Sequence, residues 1–572
     1  MTRPVLTTMI LVAAWTTAGG EQPSGPPPAV VFVTNPLDIC DSSTEPTKDQ
    51  VRDTVSAFAS PGEYEPVTFS VRAIKPLKGM RVDVGELKSE TAVIPRSRID
   101  LRIVSTFNRW LAADNPVETE YFLDRFDAVD IAAHRTRRFW VTVHVPDDAP
   151  PGVYHAPLTI RAGDQVLRTL TLRFEVLPIH LSPPDGMNYF QYSNPAALAR
   201  HLQTPEYNEK ILLDMKAHGM TTFTAGGWLQ SLDQIDGPHA QRLAVNVETA
   251  AKTGLVPPGG TAVWCYGLQY VKEDLLEQIL LEARKRNWPM LSLYLVDEPG
   301  GERVLKVLER MRTVAAIRRK HPDLRFRTIT TTTLDADWPN GTTNVGVGQF
   351  YDILIAHAPL VTPALVEEAR RLGKQVWAYQ CQVAPGPGHH AAFNRYYFGY
   401  WAWKTGVTGC SFYMYCSRSY TSSYSNTGTG PKLTQRAWWD IPDKYRDKYI
   451  PRFALVRLDP DGPVPALGWE AVREGVDDYR YLVTLKKAIA QARQDGHTHA
   501  ADQAQRTILA IEDRIDLSSQ ERSTDAAMKR YHKHGAMALW YRPPPQEDIS
   551  STDYNTFRRR IADQIVNLTQ IR

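Results

Sequence analysis

Cysteine is scarce in this chain, and charges of the two signs nearly cancel. The 572 residues include five cysteines, which are spaced neither as zinc ligands nor as the framework of a small disulfide-rich domain. The 66 basic and 63 acidic residues give a formal net charge of +3, without a dense block of lysine and arginine. We therefore expect no metal, no cofactor and no nucleic-acid partner.

Long apolar runs are also missing, and so are two common hydrolase signatures. No stretch approaches the ~20 apolar residues that a membrane-spanning helix needs. The sequence contains neither Gly-x-Ser-x-Gly nor His-Glu-x-x-His. An ester or peptide hydrolase of the serine or zinc type is therefore disfavoured.

The N-terminal segment has the composition of an export signal. Arg3 precedes an apolar stretch over residues 5–15, and small residues follow up to Gly20, which is the order found in cleavable signal peptides. A buried N-terminal helix is the alternative, but residues 21–28 are rich in glycine and proline and would separate it from the rest. We predict a signal peptide over 1–20, a flexible linker over 21–28, and a secreted or periplasmic mature protein without membrane insertion.

Hydrophobic patterning divides the mature chain into three regions. Residues 29–181 alternate apolar and polar positions between turn sequences, which predicts a β-sandwich. Over residues 185–465, strand-like and helix-like segments alternate, which predicts a (β/α)8 barrel of the TIM type. A doubly wound sheet is the alternative, although no Gly-rich phosphate loop follows its first strand. Residues 466–572 predict a helical region packed on the barrel, so the fold class is multidomain, β and α/β.

A pair of adjacent carboxylates carries the clearest chemical signal. The apolar run LSLYLV over residues 291–296 has the character of a strand buried on both faces, and it ends in Asp297, Glu298 and a Pro-Gly turn. Barrel enzymes keep catalytic groups at the C-terminal ends of such strands. The alternative is that Asp297 caps a helix beginning near Arg303 while Glu298 is solvated.

Side chains near the ends of later predicted elements are candidates for substrate binding. Aromatic rings suit the apolar faces of a sugar, whereas arginine and amide groups can bind its hydroxyls. The predicted elements are a strand over 345–350, a strand over 375–380, a helix over 394–404 and a strand over 409–415. The candidates are Gln349, Tyr351, Trp377, Tyr379, Arg395, Trp403 and Tyr413, of which about half of the aromatic residues are expected to be core.

Further carboxylates leave other interpretations open. A conventional nucleophile could come from loop aspartates after strands predicted over 324–331 and 345–350, with simple solvation as the alternative; these are Asp335, Asp337 and Asp352. The predicted helix that begins at Trp469 carries acidic residues that either contact substrate or pair with Arg473 and Arg480 on the helix surface. They are Glu470, Glu474, Asp477 and Asp478.

Three separate motifs resemble glycoside hydrolase family 123. They are FASPGEYEPVTF over 58–69, WAWKTG over 401–406 and WEAVREGVDDYRYL over 469–482, and together they extend the resemblance over nearly all of the mature chain. The resemblance implies a β-sandwich followed by a barrel and β-N-acetylgalactosaminidase activity on an oligosaccharide or glycan. It also implies that the family's adjacent Asp-Glu pair corresponds to Asp297 and Glu298.

Such a pair can suffice for catalysis when the substrate supplies its own nucleophile. Retaining enzymes of the conventional type need two carboxylates on opposite sides of the anomeric carbon. If the 2-acetamido oxygen attacks instead, Asp297 would orient the acetamide and Glu298 would act as general acid and base. A conventional carboxylate-pair glycosidase acting on a sugar without an acetamido group, and an inactive carbohydrate-binding protein, remain the alternatives.

Overall fold

The structure is a computed structural model, and it describes residues 27–112, 115–193, 204–225, 237–264, 271–297, 299, 303–332, 347–380, 391–416, 455–517 and 549–571. The predicted signal peptide lies outside the described residues. Three parts follow one another: an N-terminal β domain, a curled parallel sheet with its helices, and a group of C-terminal helices. Among the helices described, none is long and apolar enough to cross a membrane.

Two sheets that share one apolar core form the N-terminal domain. Their strands are β1 Ala29–Thr34, β2 Thr54–Ala59, β3 Tyr64–Ala73, β4 Leu77–Val84, β5 Leu87–Lys88, β6 Val93–Ile94, β7 Ile99–Ala112, β8 Asn115–Asp124, β9 Val129–Ile131, β10 Thr136–His144, β11 Gly152–Ala162 and β12 Gln165–Val176. One sheet has the order β1-β3-β10-β7-β8. The other has the order β2-β12-β11-β4-β9, with β5 and β6 attached beside β11.

Strand β10 shows why this domain is attached to the rest of the protein. Phe139 and Val141 point into the core between the two sheets. Their neighbours Arg138 and Trp140 point the other way and are also buried, and Trp140 joins the apolar cluster that continues into the other domains. Because both faces of this strand are covered, the β domain is packed against the rest of the chain.

Among the described residues, seven parallel strands form the curled central sheet, a half-barrel. They are β13 Asn188–Gln191, β14 Thr261–Trp264, β15 Met290–Tyr294, β16 Phe326–Thr332, β17 Ile353–His357, β18 Gln375–Gln380 and β19 Gly409–Phe412, in the order β13-β19-β18-β17-β16-β15-β14. Every residue of β17 is buried. Ile353 and Ile355 belong to the cluster on one face of the sheet, while Leu354 and Ala356 belong to the cluster on the other. Burial on both faces explains the continuous apolar runs.

Helices connect and cover these strands. They are α1 Pro205–Ala217, α2 Pro238–Thr253, α3 Glu273–Lys285, α4 Arg303–Lys320, α5 Pro363–Arg371, α6 Ala391–Tyr396 and α7 Ala402–Thr405, with a π-helical segment Tyr397–Trp401 between the last two. Short 3-10 helices lie at Arg96–Arg98, Val347–Phe350 and Ala358–Leu360. Thr204 and Thr362 cap α1 and α5 with their side chains, and a proline follows each.

In the described residues, the C-terminal part has a hairpin and three helices. The hairpin pairs β20 Val456–Asp459 with β21 Gly462–Pro465, and the helices are α8 Leu467–Gln494, α9 Thr498–Glu512 and α10 Ser551–Gln570. Helix α8 touches α6 so closely that a Cβ atom on Gly475 would lie 2.5 Å from the carbonyl oxygen of Arg395. Glycine in the middle of α8 therefore permits contact between two helix backbones.

Two predictions about secondary structure were wrong. The strand predicted over 345–350 is instead a 3-10 turn at Val347–Phe350, and the strand is the following apolar run, β17. The alternating sequence VGVGQF imitated a strand. The sequence pattern between Ala225 and the helix that begins at Glu273 indicates a long insertion, yet this segment contains α2 and β14. Four residues of strand are too few for a periodicity argument to identify.

The acidic residues of α8 pair with arginines, as one interpretation predicted, but they do not lie on the surface. Glu470 pairs with Arg473, and Asp477 with Arg480 at 2.7 Å. All four acidic side chains are buried. The remaining two, Glu474 and Asp478, join a network between domains that is centred on Arg558: it binds Asp478 at 2.7 Å, Glu474 at 2.9 Å and Glu65 of β3 at 2.9 Å.

Candidate functional site

The C-terminal ends of the central strands bring together polar side chains from five neighbouring elements. Asp297 follows β15, Thr331 lies in β16, His357 ends β17, Tyr379 lies in β18 and Tyr413 follows β19. The strands are parallel, so these ends meet at one edge of the sheet. This edge is where barrel enzymes place their catalytic groups.

The Asp297 carboxylate is held by two hydroxyl groups. Its Oδ1 accepts hydrogen bonds from the Tyr294 hydroxyl at 2.5 Å and from the Thr331 hydroxyl at 2.8 Å. Tyr294 and Thr331 also contact each other, and both are buried. Among the described residues, none donates to the other carboxylate oxygen, Oδ2. We call this arrangement of three residues the Asp297 clamp.

The backbone around Asp297 is fixed as well. The Thr330 hydroxyl donates to the carbonyl of Val296 at 2.7 Å, and Arg303 donates to the carbonyl of Asp297 at 3.0 Å. Among the described residues, the Asp297 side chain accepts from the hydroxyls of Tyr294 and Thr331 and from no backbone N–H of α4. These contacts disfavour the alternative in which Asp297 caps that helix.

A histidine and a tyrosine form a second pair at the same edge. His357 and Tyr379 lie directly opposite each other in the register of β17 and β18. The Tyr379 hydroxyl lies 2.6 Å from His357 Nε2, and the two ring centroids are 4.1 Å apart. Burial lowers the pKa of His357 to about 3, so the imidazole is neutral over the whole working range of an enzyme.

Tyrosines continue this edge toward β19. The Tyr413 ring is half-buried and lies 5.9 Å from the ring of Tyr192, which follows β13. Tyr192 in turn lies 6.2 Å from Tyr379. Of the predicted aromatic candidates, Tyr379 and Tyr413 are therefore at the strand ends, together with Tyr192.

Trp377 lies deeper inside the curled sheet. It is fully buried in the apolar cluster that also contains Tyr192 and Tyr379. Its ring lies 5.3 Å from that of Phe190, and its indole nitrogen donates to the Gln375 side chain at 3.2 Å. On the neighbouring strand, a Cβ atom at Gly409 would lie 2.3 Å from the Trp377 ring. The residue fills the interior below the strand ends.

Gln349, Tyr351 and Asp352 lie at the opposite edge. Lys374, which precedes β18, donates to the carbonyls of Gln349 at 2.9 Å and Tyr351 at 2.7 Å. Asp352 accepts from the backbone of Thr328 at 2.7 Å, near the start of β16. Since the strand follows these residues instead of preceding them, the predictions that they face the substrate are corrected. Burial also raises the pKa of Tyr351, as expected for a core tyrosine.

Arg395 and Trp403 face the C-terminal helices. Arg395 binds the Asp478 carboxylate through two nitrogens, at 2.7 and 2.9 Å, and it is buried. The Trp403 indole donates to Glu512 at 2.7 Å. Both side chains are occupied in the contact between domains, so the prediction that they bind sugar is also corrected.

Three of the candidate carboxylates are not among the described residues. Glu298 lies outside the described residues, and so do Asp335 and Asp337. Within the part of the chain that is described, no group of three or more histidine, cysteine, aspartate or glutamate side chains could hold a metal ion.

Sequence reasoning missed Tyr294, Thr331, His357 and Tyr192. Alternation along the 291–296 run offered a signal for Tyr294, since it is one of the two strand positions with a polar group. His357 would have been found had the strand been placed at 353–357, because it is the single polar residue at the end of an apolar run. Thr331 and Tyr192 are brought to the site by contacts between strands, and a single sequence does not reveal such contacts.

Comparison with protein families identifies the N-terminal part of the chain. Residues 41–162 match the family description Glycoside hydrolase 123 N-terminal domain. The matched region includes the motif over 58–69 and most of the β domain. No curated protein sequence matches the chain.

Among solved structures, the chain is similar to a family 123 glycoside hydrolase from Clostridium perfringens, whose study concerned glycolipid glycan hydrolysis. The TM-score is 0.64 at 10% identity, and the alignment covers 95% of this chain and 99% of that one. A family 39 glycoside hydrolase from Bacteroides cellulosilyticus WH2 gives a TM-score of 0.34 at 14% identity, covering 69% of this chain and 80% of that one. The domain match and the shared fold confirm the resemblance to family 123 and the predicted enzyme class, a glycoside hydrolase.

Proposed function

We propose that this chain cleaves β-linked N-acetylhexosamine, in the first place N-acetylgalactosamine, with retention of configuration and with the substrate's own acetamido group as nucleophile. One observation carries the proposal, which is the Asp297 clamp at the C-terminal edge of the sheet. Two hydroxyls hold Oδ1, and the described residues leave Oδ2 to accept a further hydrogen bond. An oriented acceptor is what an acetamide N–H requires.

The reaction then needs two carboxylates with different roles. The acetamide carbonyl oxygen attacks C1 while the bond from C1 to the leaving oxygen breaks, and Glu298 gives its proton to that oxygen. The Asp297 charge stabilises the positive oxazolinium ring that results. Water next attacks C1 and opens the ring, and its proton goes to Glu298, which restores the starting state. The position of Asp297 at the catalytic edge supports the role proposed for Glu298, because the two residues are adjacent in the chain.

The position of Asp352 argues against its use as the nucleophile of a conventional mechanism. A conventional retaining enzyme needs a nucleophilic carboxylate roughly 5–5.5 Å from the acid. Asp352 was one of three candidates for that role, and it binds Thr328 and Arg318 at the opposite edge of the sheet. A glycan carried on a lipid is a substrate to test, because that is the substrate class studied for the Clostridium perfringens relative.

We infer in addition that the half-barrel closes into a (β/α)8 barrel. Residues 221–225 lie between the two edge strands of the sheet. Thr221 and Thr222 donate from their backbone nitrogens to the carbonyl of Tyr189, at 2.9 and 3.1 Å. Ala225 donates to the carbonyl of Val263 in β14 at 2.7 Å. This segment therefore occupies the position that an eighth strand would take.

Inhibition by an N-acetylgalactosamine thiazoline tests the proposed mechanism. This compound imitates the cyclised acetamide, so it should compete with an aryl β-N-acetylgalactosaminide and bind more tightly than the free sugar. Absence of competition, or covalent labelling of a protein carboxylate by a 2-fluoro glycoside, would contradict the mechanism. The gluco-configured thiazoline serves as the matched probe of sugar identity.

Export of the chain is a further proposal, based on the N-terminal sequence. Intact-mass measurement on protein exported by a native-like host should find a chain that lacks residues up to about Gly20. A full-length N-terminus in the exported protein would contradict it.

A further inference from the structure

A wide groove lies at the edge of the central sheet opposite to the Asp297 clamp, and it has no role in the mechanism proposed above. It has a volume of about 1100 Å³ and is formed where the chain enters β14, β15 and β16. The connections that line it lie within residues 254–260, 287–289 and 323–325. We call it the basal groove. Ligand sites in proteins usually measure roughly 300–1,000 Å³, so this groove has room for an oligosaccharide.

Two arginines in the basal groove have no partner of their own. Arg325 directly precedes β16, Arg327 is the second residue of that strand, and both line the groove. In the described part of the chain, neither side chain forms a hydrogen bond or an ion pair. Arg327 is half-buried, yet none of its unpaired nitrogens is sealed from solvent. Its guanidinium therefore reaches the open space of the groove.

The position of Arg327 in β16 separates the basal groove from the catalytic edge. Alternate residues of a strand share a face, so Arg327 lies on the same face as Ile329 and Thr331 of the clamp. Four residues of strand separate Arg327 from Thr331 by roughly 13 Å. The interior between them is filled by the cluster that contains Ile329, Tyr294 and Trp377. The groove is therefore a separate site and does not lead to the Asp297 clamp.

The charges that line the groove do not balance. Arg284 and Asp323 also line it, and they form an ion pair with each other. The charges of Arg325 and Arg327 remain without compensation. A half-buried guanidinium has lost part of its hydration, which is unfavourable unless an acceptor replaces the lost water. The planar guanidinium binds the two oxygens of a carboxylate with parallel hydrogen bonds, so a carboxylate is the ligand group that fits these arginines.

The rest of the lining suits the ring of a sugar. Trp288 is half-buried, and its indole nitrogen donates to Glu248 at 3.1 Å, which holds the ring in place. Pro257 and Pro258 are exposed in the neighbouring connection, and the exposed Asn287 adds an amide. Flat apolar surfaces pack against the apolar face of a pyranose, and an amide can bind its hydroxyls. Next to two arginines, these groups fit a sugar that carries a carboxylate.

We propose that the basal groove is a second binding site, which takes an oligosaccharide of acidic sugars and binds their carboxylates through Arg325 and Arg327. The need for an anion rests on the two arginines, whereas the choice of a sugar rests on the function proposed above. A glycan that is bound in the groove is held at a high effective concentration near the catalytic edge. Acidic glycans are therefore the substrate class that this site favours.

Calorimetric titration with defined probes tests the site without a need for turnover. The acidic probe is a tetrasaccharide of alternating glucuronic acid and N-acetylgalactosamine, and the neutral probe is a tetrasaccharide of N-acetylglucosamine. Asp297→Asn protein is used throughout, so that the probes are not consumed. The acidic probe should bind more tightly than the neutral one, and added sodium chloride should weaken its binding. Equal affinity for the two probes would overturn the proposal.

Arginine variants locate the binding in the groove. Arg327→Gln should weaken binding of the acidic probe about tenfold, because it removes charge-assisted hydrogen bonds from a half-buried group. Arg325 is exposed, so Arg325→Gln should weaken binding about threefold. Arg81→Gln removes the same charge from an exposed position of β4, in the other domain, and should leave the affinity unchanged. Melting curves establish that the variants are folded, and the exposed Arg325 decides the test if Arg327→Gln is not.

Unchanged affinity in the folded groove variants, or an equal loss in Arg81→Gln, would overturn the proposal. Tetraglutamate and vesicles that contain phosphatidylserine probe the other sources of negative charge. If either binds in an arginine-dependent way and the acidic tetrasaccharide does not, the groove is not a sugar site and the proposal is wrong.

These titrations separate failure of this inference from failure of the proposed function. The thiazoline tests the catalytic edge, and the arginine variants test the opposite edge. If the thiazoline does not bind but the acidic probe binds in an arginine-dependent way, the proposed function is wrong and the groove is still an acidic sugar site. If the thiazoline competes and the acidic probe does not bind, only the role of the basal groove is wrong.

Discussion

Replacing Asp297 by asparagine separates the charge of the clamp from its geometry. The amide oxygen of asparagine can accept from Tyr294 and Thr331 as Oδ1 does, at 2.5 and 2.8 Å in the wild type. The amide NH₂ group then takes the place of Oδ2 and presents a donor where the substrate N–H requires an acceptor. The variant therefore keeps the clamp and loses the interaction with the substrate.

The expected magnitudes differ sharply for stability and for catalysis. Both hydroxyl contacts survive as neutral hydrogen bonds, and the amide is easier to bury, so the free energy of unfolding should change by no more than about 1 kcal/mol. Loss of a preorganised group that stabilises developing charge lowers turnover by roughly 10²–10³-fold. We expect a drop of that size in kcat/KM on aryl β-N-acetylgalactosaminide, measured together with urea unfolding.

A matched variant controls for loss of the clamp itself. Thr331→Val has nearly the same shape and removes one of the two donors to Asp297 while it leaves the charge in place. It should lower kcat/KM by about tenfold, less than Asp297→Asn does. A folded Asp297→Asn protein with wild-type kcat/KM would refute the reasoning, and so would a larger loss in Thr331→Val.

Three further predictions concern the acid and the contacts between domains. Glu298→Gln should slow glycosides with poor leaving groups far more than activated aryl glycosides, and equal losses on both would count against Glu298 as the acid. Burial, and after it the charge of Asp477, raises the pKa of Glu63 from 4.5 to about 7. The contribution of Glu63 to the free energy of unfolding should therefore be fully present below about pH 4.5 and should be lost as the pH rises toward about 7. In Glu63→Gln the melting temperature should depend less on pH over this window. Arg558→Met should lower the free energy of unfolding by about 3–5 kcal/mol, because it leaves buried carboxylates without their positively charged partner. Arg559 is the half-exposed neighbour, and Arg559→Met should lower the free energy of unfolding by at most about 1 kcal/mol. Urea titration of both arginine variants checks this, and similar losses would contradict it.

Apolar runs predicted the strands well where the runs were continuous. The LSLYLV segment placed Asp297 at the correct edge of the sheet, since burial on both faces leaves a long run and its end is easy to read. The predicted strand over 375–380 has the same bounds in the structure, and the helix predicted to begin near Arg303 is described from that residue onward. The broad order of a β domain, an α/β domain and C-terminal helices could therefore be predicted from one sequence.

Errors arose where local pattern and tertiary contacts disagree. The alternation of VGVGQF displaced a predicted strand toward the N-terminus, and this displacement moved Gln349 and Tyr351 to the wrong end of the sheet. Arg395 looked like a sugar ligand because its partner, Asp478, lies 83 residues further along the chain. The register that joins Asp297 to Thr331, 34 residues apart, is likewise a property of strand pairing that a single sequence does not contain.

The measurement that tests substrate assistance most directly is a series of aryl β-glycosides with acetamido, fluoroacetamido, difluoroacetamido and trifluoroacetamido groups at C2. Fluorine withdraws electrons from the carbonyl oxygen and makes it a weaker nucleophile. If that oxygen attacks C1, kcat/KM should fall at each step of the series, and the matched 2-hydroxyl glycoside should not be cleaved. Equal kcat/KM values across the series, or efficient cleavage of the 2-hydroxyl glycoside, would contradict the central claim.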